Sequence, residues 1–584
     1  NDGFSDSNEA TFQINVIDKA LNLNWANYTT GNLNASTQDN SGNIFTSGNF
    51  TFSNFKDDTA LDAVNSAGLG DGYVAKYNTN GDLQWVNTFG GQYSDDGGEI
   101  SVGSDGNIIM VGTIRGLATF NDGSTLDTGL LASGETDFKT IVIKLDSSDG
   151  SIIWKRLIDV SRLSGFNLAL TSNDDIIISS SYFNPASYNN GDNYLFKVSY
   201  VDGSIIVDNK ILKSVSPNSS SVGPLTELII DNNDNIIITG GYRGDLDIDL
   251  SSGVTSLLGD ETSSTYVIKY NSNFELVWSM GFVSSEATAG NSLAYDSIND
   301  LIYFSGAAYD VDMNPLGDPV NLDYNDNLGW FVASYNSDGI YQDAHLFAAD
   351  SNSGAADTKL RVQDDKLIVF GKYKETPDLD ITSETFFPTV AGNSYRSRYV
   401  SIYDLSEGAT LTGQYFLGQN GEGRVPKEVF LNGNNLIVAT WRDREVQLYD
   451  YNYNPLVTLS NITYENNSSI YGSNGLVSFN IEFQDFSQNI PPVATSEVGK
   501  AFSEVTTNIT LNAVDQDGDN LTYTLISSPT NGSATITDGV LTYTSNSGFT
   551  GSDTITYKVN DGFSDSNEAT FQINVIDKAL NLNW

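Results

Sequence analysis

The chain of 584 residues has no cysteine, a single histidine and three methionines. Without cysteine there is no disulfide, no thiolate metal site and no thiol nucleophile. The lone histidine, His345, has no partner motif at catalytic spacing, so a Ser-His-Asp triad and an H-E-x-x-H zinc site are excluded. No G-x-S-x-G, phosphate-binding loop or dinucleotide fingerprint occurs. Basic residues are scarce: 28 Lys and Arg stand against 74 Asp and Glu, a net charge of -46. Phosphate neutralisation needs clustered Lys and Arg, so nucleic acid is excluded as a partner. No apolar run approaches the ~18 residues of a membrane span, so this segment is not expected to insert into a membrane.

What is present points to β structure. Apolar residues make up 39% of the chain and aromatics 11%, enough for real cores and unlike disordered segments. Gly (53 residues), Asn, Asp, Ser and Thr separate short runs rich in Ile, Val, Tyr and Phe, the pattern of an all-β protein with many tight turns. The length calls for two or more domains. A polyanion of this strength tolerates salt and offers many carboxylates to divalent cations.

One stretch occurs twice. Residues 1–25, NDGFSDSNEATFQINVIDKALNLNW, return letter for letter at 560–584. Such self-similarity marks a repeat architecture. The chain is read as one period of a tandem array plus an overlap, beginning inside a repeat with its natural N-terminus out of view.

Within that period lies a shorter one. A turn followed by an apolar strand recurs seven times, its first apolar residue at Ile44, Ile108, Ile176, Ile236, Leu301, Leu367 and Leu436, spaced by 60 to 69 residues. In phase with it run hairpins such as GYVAKYNTNGDLQW (72–85), TIVIKLDSSDGSIIW (140–154) and TYVIKYNSNFELVW (265–278). Asn80-Gly81 is a strong hairpin signal. Asn273-Phe274 and Asn454-Pro455 break that rule and predict other turn types there. EVQLYDYNYNPLVTL (445–459) is taken as the seventh such hairpin. Four short strands per period, seven times over, predict a seven-bladed β-propeller over residues 19–487.

These residues resemble a bacterial β-propeller repeat family with the pattern D-x-F/Y-V-x-K-Y/L-x-x-x-G-x-x-x-W, then D-x-x-G-N-x-Y-x-x-G. Its repeats are mostly structural, so the resemblance implies a fold more than an activity. Trp25, Trp85, Trp154 and Trp278 recur at one phase, which reads as packing between blades, with ligand stacking as the alternative. The strand around Trp25 precedes any complete blade. It either closes the ring by joining the last blade or is an extra strand, and residues 460–487 hold one more hairpin than seven blades need.

After the linker QNIPP (488–492) the period changes. Short alternating strands over 488–577 predict an immunoglobulin-like sandwich. The run N-x-P-P-V-A, D-x-D-G-D-x-L-T-Y, P-x-x-G, L-T-Y-T, G-F-T-G-x-D-x-I-T-Y-x-V-x-D-G resembles the cadherin-like or immunoglobulin-like tandem repeats of large bacterial surface proteins. That resemblance implies an extracellular, cell-surface, rod-forming module, frequently stiffened by calcium. Residues 1–18 then read as the closing strand or two of a preceding sandwich, and 578–584 as the start of the next propeller.

Candidate metal ligands follow from spacing. Asp515, Asp517 and Asp519 in DQDGDN place three carboxylates at alternate positions, as a hard cation such as Ca2+ requires. The cadherin-like resemblance adds Asn489, Asp553 and Asp561. A solvated turn rich in Asp, Gly and Asn is the other reading. Asp310, Asp312 and Asn314, like Asp245, Asp247 and Asp249, alternate in the connection between second and third strands of a blade. They form either a calcium shelf or an acidic edge that blocks sheet pairing.

The expected function is structural and adhesive: a non-enzymatic repeat unit of a long bacterial surface filament or adhesin acting in attachment. Its partners would be neighbouring repeats of the same polypeptide, other copies in a homo-oligomeric bundle, and glycans or proteins of another cell's surface. One alternative is a glycan- or protein-binding propeller presented on a stalk. A second is an extracellular glycan hydrolase, expected to hold two carboxylates ~5–10 Å apart in a central cleft.

Overall fold

The structure is a computed structural model. It describes residues 13–16, 22–29, 32–53, 64–130, 134, 136–183, 190–215, 221–259, 263–283, 288–308, 310–323, 328–350, 358–373, 397–406, 410–417, 428–432, 435–440, 446–449, 455–460, 474–480, 492–515, 521–561 and 564–577. Every regular element among these is a strand. The chain divides into two units, Asn1–Gln484 and Asp485–Trp584. The expectation of an all-β propeller followed by an immunoglobulin-like sandwich is borne out.

In the first unit, four-stranded antiparallel meanders follow one another. Blade 1 is Asn32–Gln38, Ile44–Phe50, Asp71–Tyr77 and Leu83–Gly91. Blade 2 is Asp96–Val102, Ile108–Arg115, Phe138–Leu145 and Ile152–Ser161. Blade 3 is Leu163–Leu170, Ile176–Phe183, Asn190–Val198 and Ile205–Ser214. Blade 4 is Ser221–Ile230, Ile236–Arg243, Ser264–Tyr270 and Leu276–Phe282. Blade 5 is Ala289–Asp296, Leu301–Ala308, Leu328–Asn336 and Tyr341–Asp350. Blade 6 is Lys359–Gln363, Lys366–Tyr373, Ser397–Asp404 and Thr410–Leu417. Blade 7 is Glu428–Asn432, Asn435–Thr440 and Asn474–Asn480, completed by Asn22–Thr29. The first strand of each blade packs against that of the next, and the last against the first, in a closed cycle.

The second strands are nearly continuous apolar runs, IIMVG or IIITG, because blades cover both their faces. The closing strand comes from far upstream: Asn22–Thr29, which carries Trp25, pairs antiparallel with Asn474–Asn480. Of the two fates open to the Trp25 strand, ring closure is the one observed. The extra material around 460–487 supplies the third strand of blade 7. The segment 445–459 takes another place: Val446–Tyr449 and Pro455–Ser460 form a hairpin between the second and third strands of blade 7, and it adds to the outer strand of blade 6.

Two further insertions take the same placement, whereas Asp310–Asp312 with Asn321–Asp323 in blade 5 pairs only with itself. The hairpin Leu117–Phe120 with Thr125–Asp127, inserted in blade 2, pairs with the outer strand of blade 1. Leu246–Asp247 with Ser256–Leu257, inserted in blade 4, pairs with the outer strand of blade 3. Each back-reaching hairpin covers an edge that would otherwise be open to pairing with another chain.

Tryptophan fastens blades in the other direction. Trp85 Nε1 donates to Ser147 O at 3.0 Å, Trp154 Nε1 to Tyr200 O at 3.0 Å and Trp278 Nε1 to Ser337 O at 3.1 Å, each in the third-to-fourth turn of the next blade. A glycine of that turn lies under the indole. Gly150, Gly203 and Gly339 have φ of 75°, 70° and 80°. A Cβ on Gly150 would lie 2.6 Å from the Trp85 ring. Two demands therefore select glycine there, the left-handed backbone and the ring above it.

Blade 3 carries Val207 where its neighbours carry Trp, and the turn of blade 4 carries Phe274 where theirs carry Gly. The turn type is nevertheless unchanged. Phe274 adopts φ 64°. Its N–H donates to Asn271 O, as the N–H of Gly81 does to Asn78 O and that of Gly339 to Asn336 O. The expected change of turn type does not occur, because Phe274 is buried in one apolar cluster with Val207 packed on it. The aromatic comes from the turn instead of the strand, and its burial offsets the ~1–2 kcal/mol of left-handed strain.

The sandwich pairs Glu497–Phe502, Ala569–Ile576, Gly551–Asn560 and Thr522–Ser527 in one sheet, with Glu497–Phe502 parallel to Ala569–Ile576. The other sheet is Thr507–Thr510, Val540–Ser545 and Gly532–Thr537. Strict alternation along Gly551–Asn560 turns Asp553, Ile555, Tyr557 and Val559 inward against Tyr543, Phe571 and Ile573.

Two substitutions test the fastening. Trp85→Ala removes a nearly buried ring and its hydrogen bond, and is expected to cost about 3–5 kcal/mol in denaturant unfolding. Phe274→Gly relieves the backbone strain but loses the buried ring, for a net loss of about 2–3 kcal/mol; a stabilised variant would refute the compensation between Phe274 and Val207.

Candidate functional site

Two regions of the propeller and one of the sandwich bring charged groups together. The first lies along the innermost strands, where side chains bridge successive blades. Asn34 Nδ2 donates to Gly97 O at 2.8 Å, Asn167 Nδ2 to Leu225 O at 3.2 Å, and Thr226 Oγ1 to Gly290 O at 3.1 Å. Between blades 4, 5 and 6 the bridge is ionic. The Glu227 carboxylate accepts from Ser292 Oγ at 3.3 Å and meets Lys359 Nζ at 3.9 Å, while Ser292 Oγ accepts from Leu360 N. Glu227 (blade 4) and Lys359 (blade 6) reach each other past blade 5. Next in the ring, Arg361 pairs with Glu428 at 3.2 Å and lies 4.2 Å over the Phe430 ring. Burial pushes the Glu227 acid up, Lys359 opposes this, and the nearby Glu428 charge adds to it.

The second region joins blades 1 and 2. Asp95 is fully buried and accepts from Gly91 N at 2.9 Å and Arg115 N at 2.8 Å. It thereby ties the connection between the two blades to the end of blade 2's second strand. Asp71, also buried, accepts from Ala67 N through one oxygen, and its other oxygen has no hydrogen-bond partner among the described residues. Burial outweighs the backbone donors and, with the charges of Asp71 and Asp96, pushes Asp95 up to about 7.

Of the residues singled out as metal ligands, the described ones do not form one cluster. Asp517, Asp519 and Asn489 lie outside the described residues. Asp515 follows the Ala513–Val514 strand. Asp553 accepts from four donors: Thr530 N, Asn531 N, Thr554 N and Tyr543 OH, at 2.9–3.0 Å. That set accounts for a buried carboxylate without an ion. Asp561 is buried and accepts from Ser564 N at 2.6 Å in a turn.

Asp310–Asp312 is a short strand paired with Asn321–Asp323. Asp312 accepts from Asn314 N and Val320 N, both at 2.9 Å. Asn314 Nδ2 donates to Asp318 O. Asp247 does the same with Asp249 N and Thr255 N, both at 3.2 Å. In blades 5 and 4 the third strand also ties down the insertion, Tyr335 OH donating to Met313 O and Tyr270 OH to Ile248 O. These acids thus shape the insertion hairpins. Among the described residues no three His, Asp or Glu side chains converge to hold a metal ion.

Sequence reasoning missed Asp95, Glu227 and Lys359. The only signal for Asp95 was the glycine-rich run GGQYSDDGG (90–98), whose glycines admit close backbone approach: a Cβ on Gly91 would lie 2.1 Å from Leu117 O. Glu227 and Lys359 lie more than a hundred residues apart, and no local pattern joins them.

A propeller followed in sequence by an immunoglobulin-like sandwich suits a surface or binding module. The profile of a bacterial Ig domain matches residues 489–574. No curated protein matches the chain. Among solved structures, Sqt1 of Saccharomyces cerevisiae is 7% identical with a TM-score of 0.35, covering 89% of this chain and 98% of that one. A polysaccharide lyase of the PL25 ulvan lyase family is 12% identical with a TM-score of 0.37, covering 74% and 96%. The β-propeller domain of the Trilobed protease from Pyrococcus furiosus, described as having an open velcro topology, is 9% identical with a TM-score of 0.28, covering 61% and 82%. At such identities and scores none of these likenesses reaches an activity or a ligand.

The buried acid yields a pH prediction. A raised folded value above the ordinary 3.8 means that Asp95 contributes stability fully below about pH 4, and that this contribution is lost as pH rises through about 7. Asp95→Asn fixes a neutral side chain. Its melting temperature is expected to fall less than that of the wild type between about pH 5 and about pH 8 in scanning calorimetry; parallel slopes would show that another group titrates.

Proposed function

We propose that the chain is the repeat unit of a long extracellular bacterial surface filament or adhesin, in which propellers alternate with immunoglobulin-like sandwiches and act in attachment. The observation that carries this reading is the identity of residues 1–25 with 560–584, a junction between sandwich and propeller seen twice. Ring closure supports it. Asn22 pairs with Asn480, so the polypeptide enters and leaves the propeller about one strand spacing apart. A module with adjacent ends is added to a series of sandwiches without disturbing their connection. The net charge of -46 keeps such a polymer soluble, and bundling with other copies would call for cations or salt.

We read the chain as non-enzymatic. Glu227 and Glu428, two carboxylates on first strands of their blades, each have a cationic partner, Lys359 and Arg361. Ligands of the propeller would be glycans or proteins of another surface, recognised at the exposed turns between strands. Mass analysis of the native polypeptide tests the array: several propeller-plus-sandwich periods are expected, and a single propeller would overturn it.

Calcium belongs to the same proposal, through Asp515, Asp517 and Asp519 in DQDGDN. Extracellular modules bind it with Kd of order 10⁻⁴–10⁻³ M, so about 10 mM Ca2+ is expected to stabilise the sandwich by about 1.4–2.7 kcal/mol. Asp517→Asn should abolish the shift in melting temperature, and an equal shift in wild type and variant would remove DQDGDN as the site.

A further inference from the structure

The junction sequence occupies two different sheets. In the sandwich, Gln572–Val575 sits within Ala569–Ile576, flanked on one side by Gly551–Asn560 and on the other by Glu497–Phe502. Its identical copy, Gln13–Val16, pairs instead with Pro455–Ser460, the outer strand of the insertion hairpin of blade 7. The pairing is antiparallel, Gln13 opposite Ser460 and Val16 opposite Val457. With it the sheet begun by blade 6 reaches seven strands.

The other described insertions show why this edge accepts a strand. The insertion hairpins of blades 2 and 4 end in strands of only three and two residues, Thr125–Asp127 and Ser256–Leu257. A row that short offers little to pair with. Pro455–Ser460 is six residues long and carries Leu456, Val457 and Leu459 beside Thr458. Apart from Pro455 it has a full row of N–H and C=O groups, and one edge is used by Val446–Tyr449. The remaining edge is a template for an added strand, with main-chain hydrogen bonds giving affinity and alternate side chains giving preference.

The segment that takes this edge has the required chemistry. ATFQINVID (10–18) alternates apolar and polar residues and has no proline and no glycine. It is also the sequence that a sandwich uses as a strand paired on both sides.

We propose that Pro455–Ser460 is an acceptor edge for the junction strand, so that one sequence has two alternative homes, the sandwich sheet and the propeller edge. The inference concerns pairing within the first unit and stands apart from the array reading. Where an array is present, it gives the junction a means of exchanging strands between a sandwich and a propeller. Where none is, the edge still takes the peptide.

The full-length chain carrying Ile14→Pro and Asn15→Pro provides the test. Proline at two successive positions removes a main-chain donor whichever side faces the acceptor, and so vacates the edge. A fluorescently labelled peptide ATFQINVID should bind this variant saturably by anisotropy, and bind the wild-type chain at least about tenfold more weakly because its edge is filled. The peptide ATFQPPVID should not bind. Amides of Val457–Ser460 should exchange hydrogen faster in the variant than in the wild type, while those of blades 1 to 5 stay protected and show that the propeller stands. Absence of peptide binding with an intact propeller, or equal binding of ATFQINVID and a scrambled or proline-bearing peptide, would overturn the proposal.

Discussion

The structure depends on one demand: every blade is a sheet with apolar faces and an open outer edge, and neither is stable alone. The faces are covered by the neighbouring blades, whose indoles reach across to turn carbonyls and rest on left-handed glycines. The outer edges of blades 1, 3 and 6 are covered by hairpins sent back from the following blade. Blade 1 is held in both ways by blade 2, and blades 2, 3, 4 and 6 each in one of them by the blade that follows. A ring built this way needs its last blade to be finished by the first stretch of chain, which Asn22–Thr29 does.

Charge follows the same logic. A chain with 46 excess negative charges meets its own repulsion wherever carboxylates are buried. Some of the few lysines sit between blades and answer this repulsion. Lys269 pairs with the fully buried Asp231 at 2.6 Å and also donates to Ser337 O in the next blade. Lys144 pairs with Asp105 while lying over the Tyr200 ring. Among the described residues Asp95 has no such cation, and burial outweighs its two backbone donors, so its acid form persists to about 7.

Much of the fold was legible because β structure writes itself locally. Two-residue alternation, turn residues and a fixed period of 60 to 69 residues located most strands and the change of module at the QNIPP linker. The tryptophans were legible as interblade packing for the same reason. Phe274 was not, since its left-handed backbone is held by burial in a cluster that no local pattern reveals. Blade 7 was misassigned because its fourth strand is encoded some 450 residues before its third, and because the 445–459 hairpin looks like a blade hairpin yet serves blade 6. Of the candidate site, the acidic motifs were found but their chemistry was not. Asp312 and Asp247 shape turns, and Asp553 anchors a loop to a strand. The buried acid at Asp95 and the Glu227–Lys359 bridge arise from contacts between blades and leave almost no trace in sequence.

The central claim is that propeller and sandwich together form one period of a repeating surface structure. Cryo-electron microscopy of the native assembly on cells tests it most directly. The account predicts discs recurring along one polypeptide with a sandwich between successive discs. A single disc per polypeptide, or discs with no intervening sandwich, would contradict it.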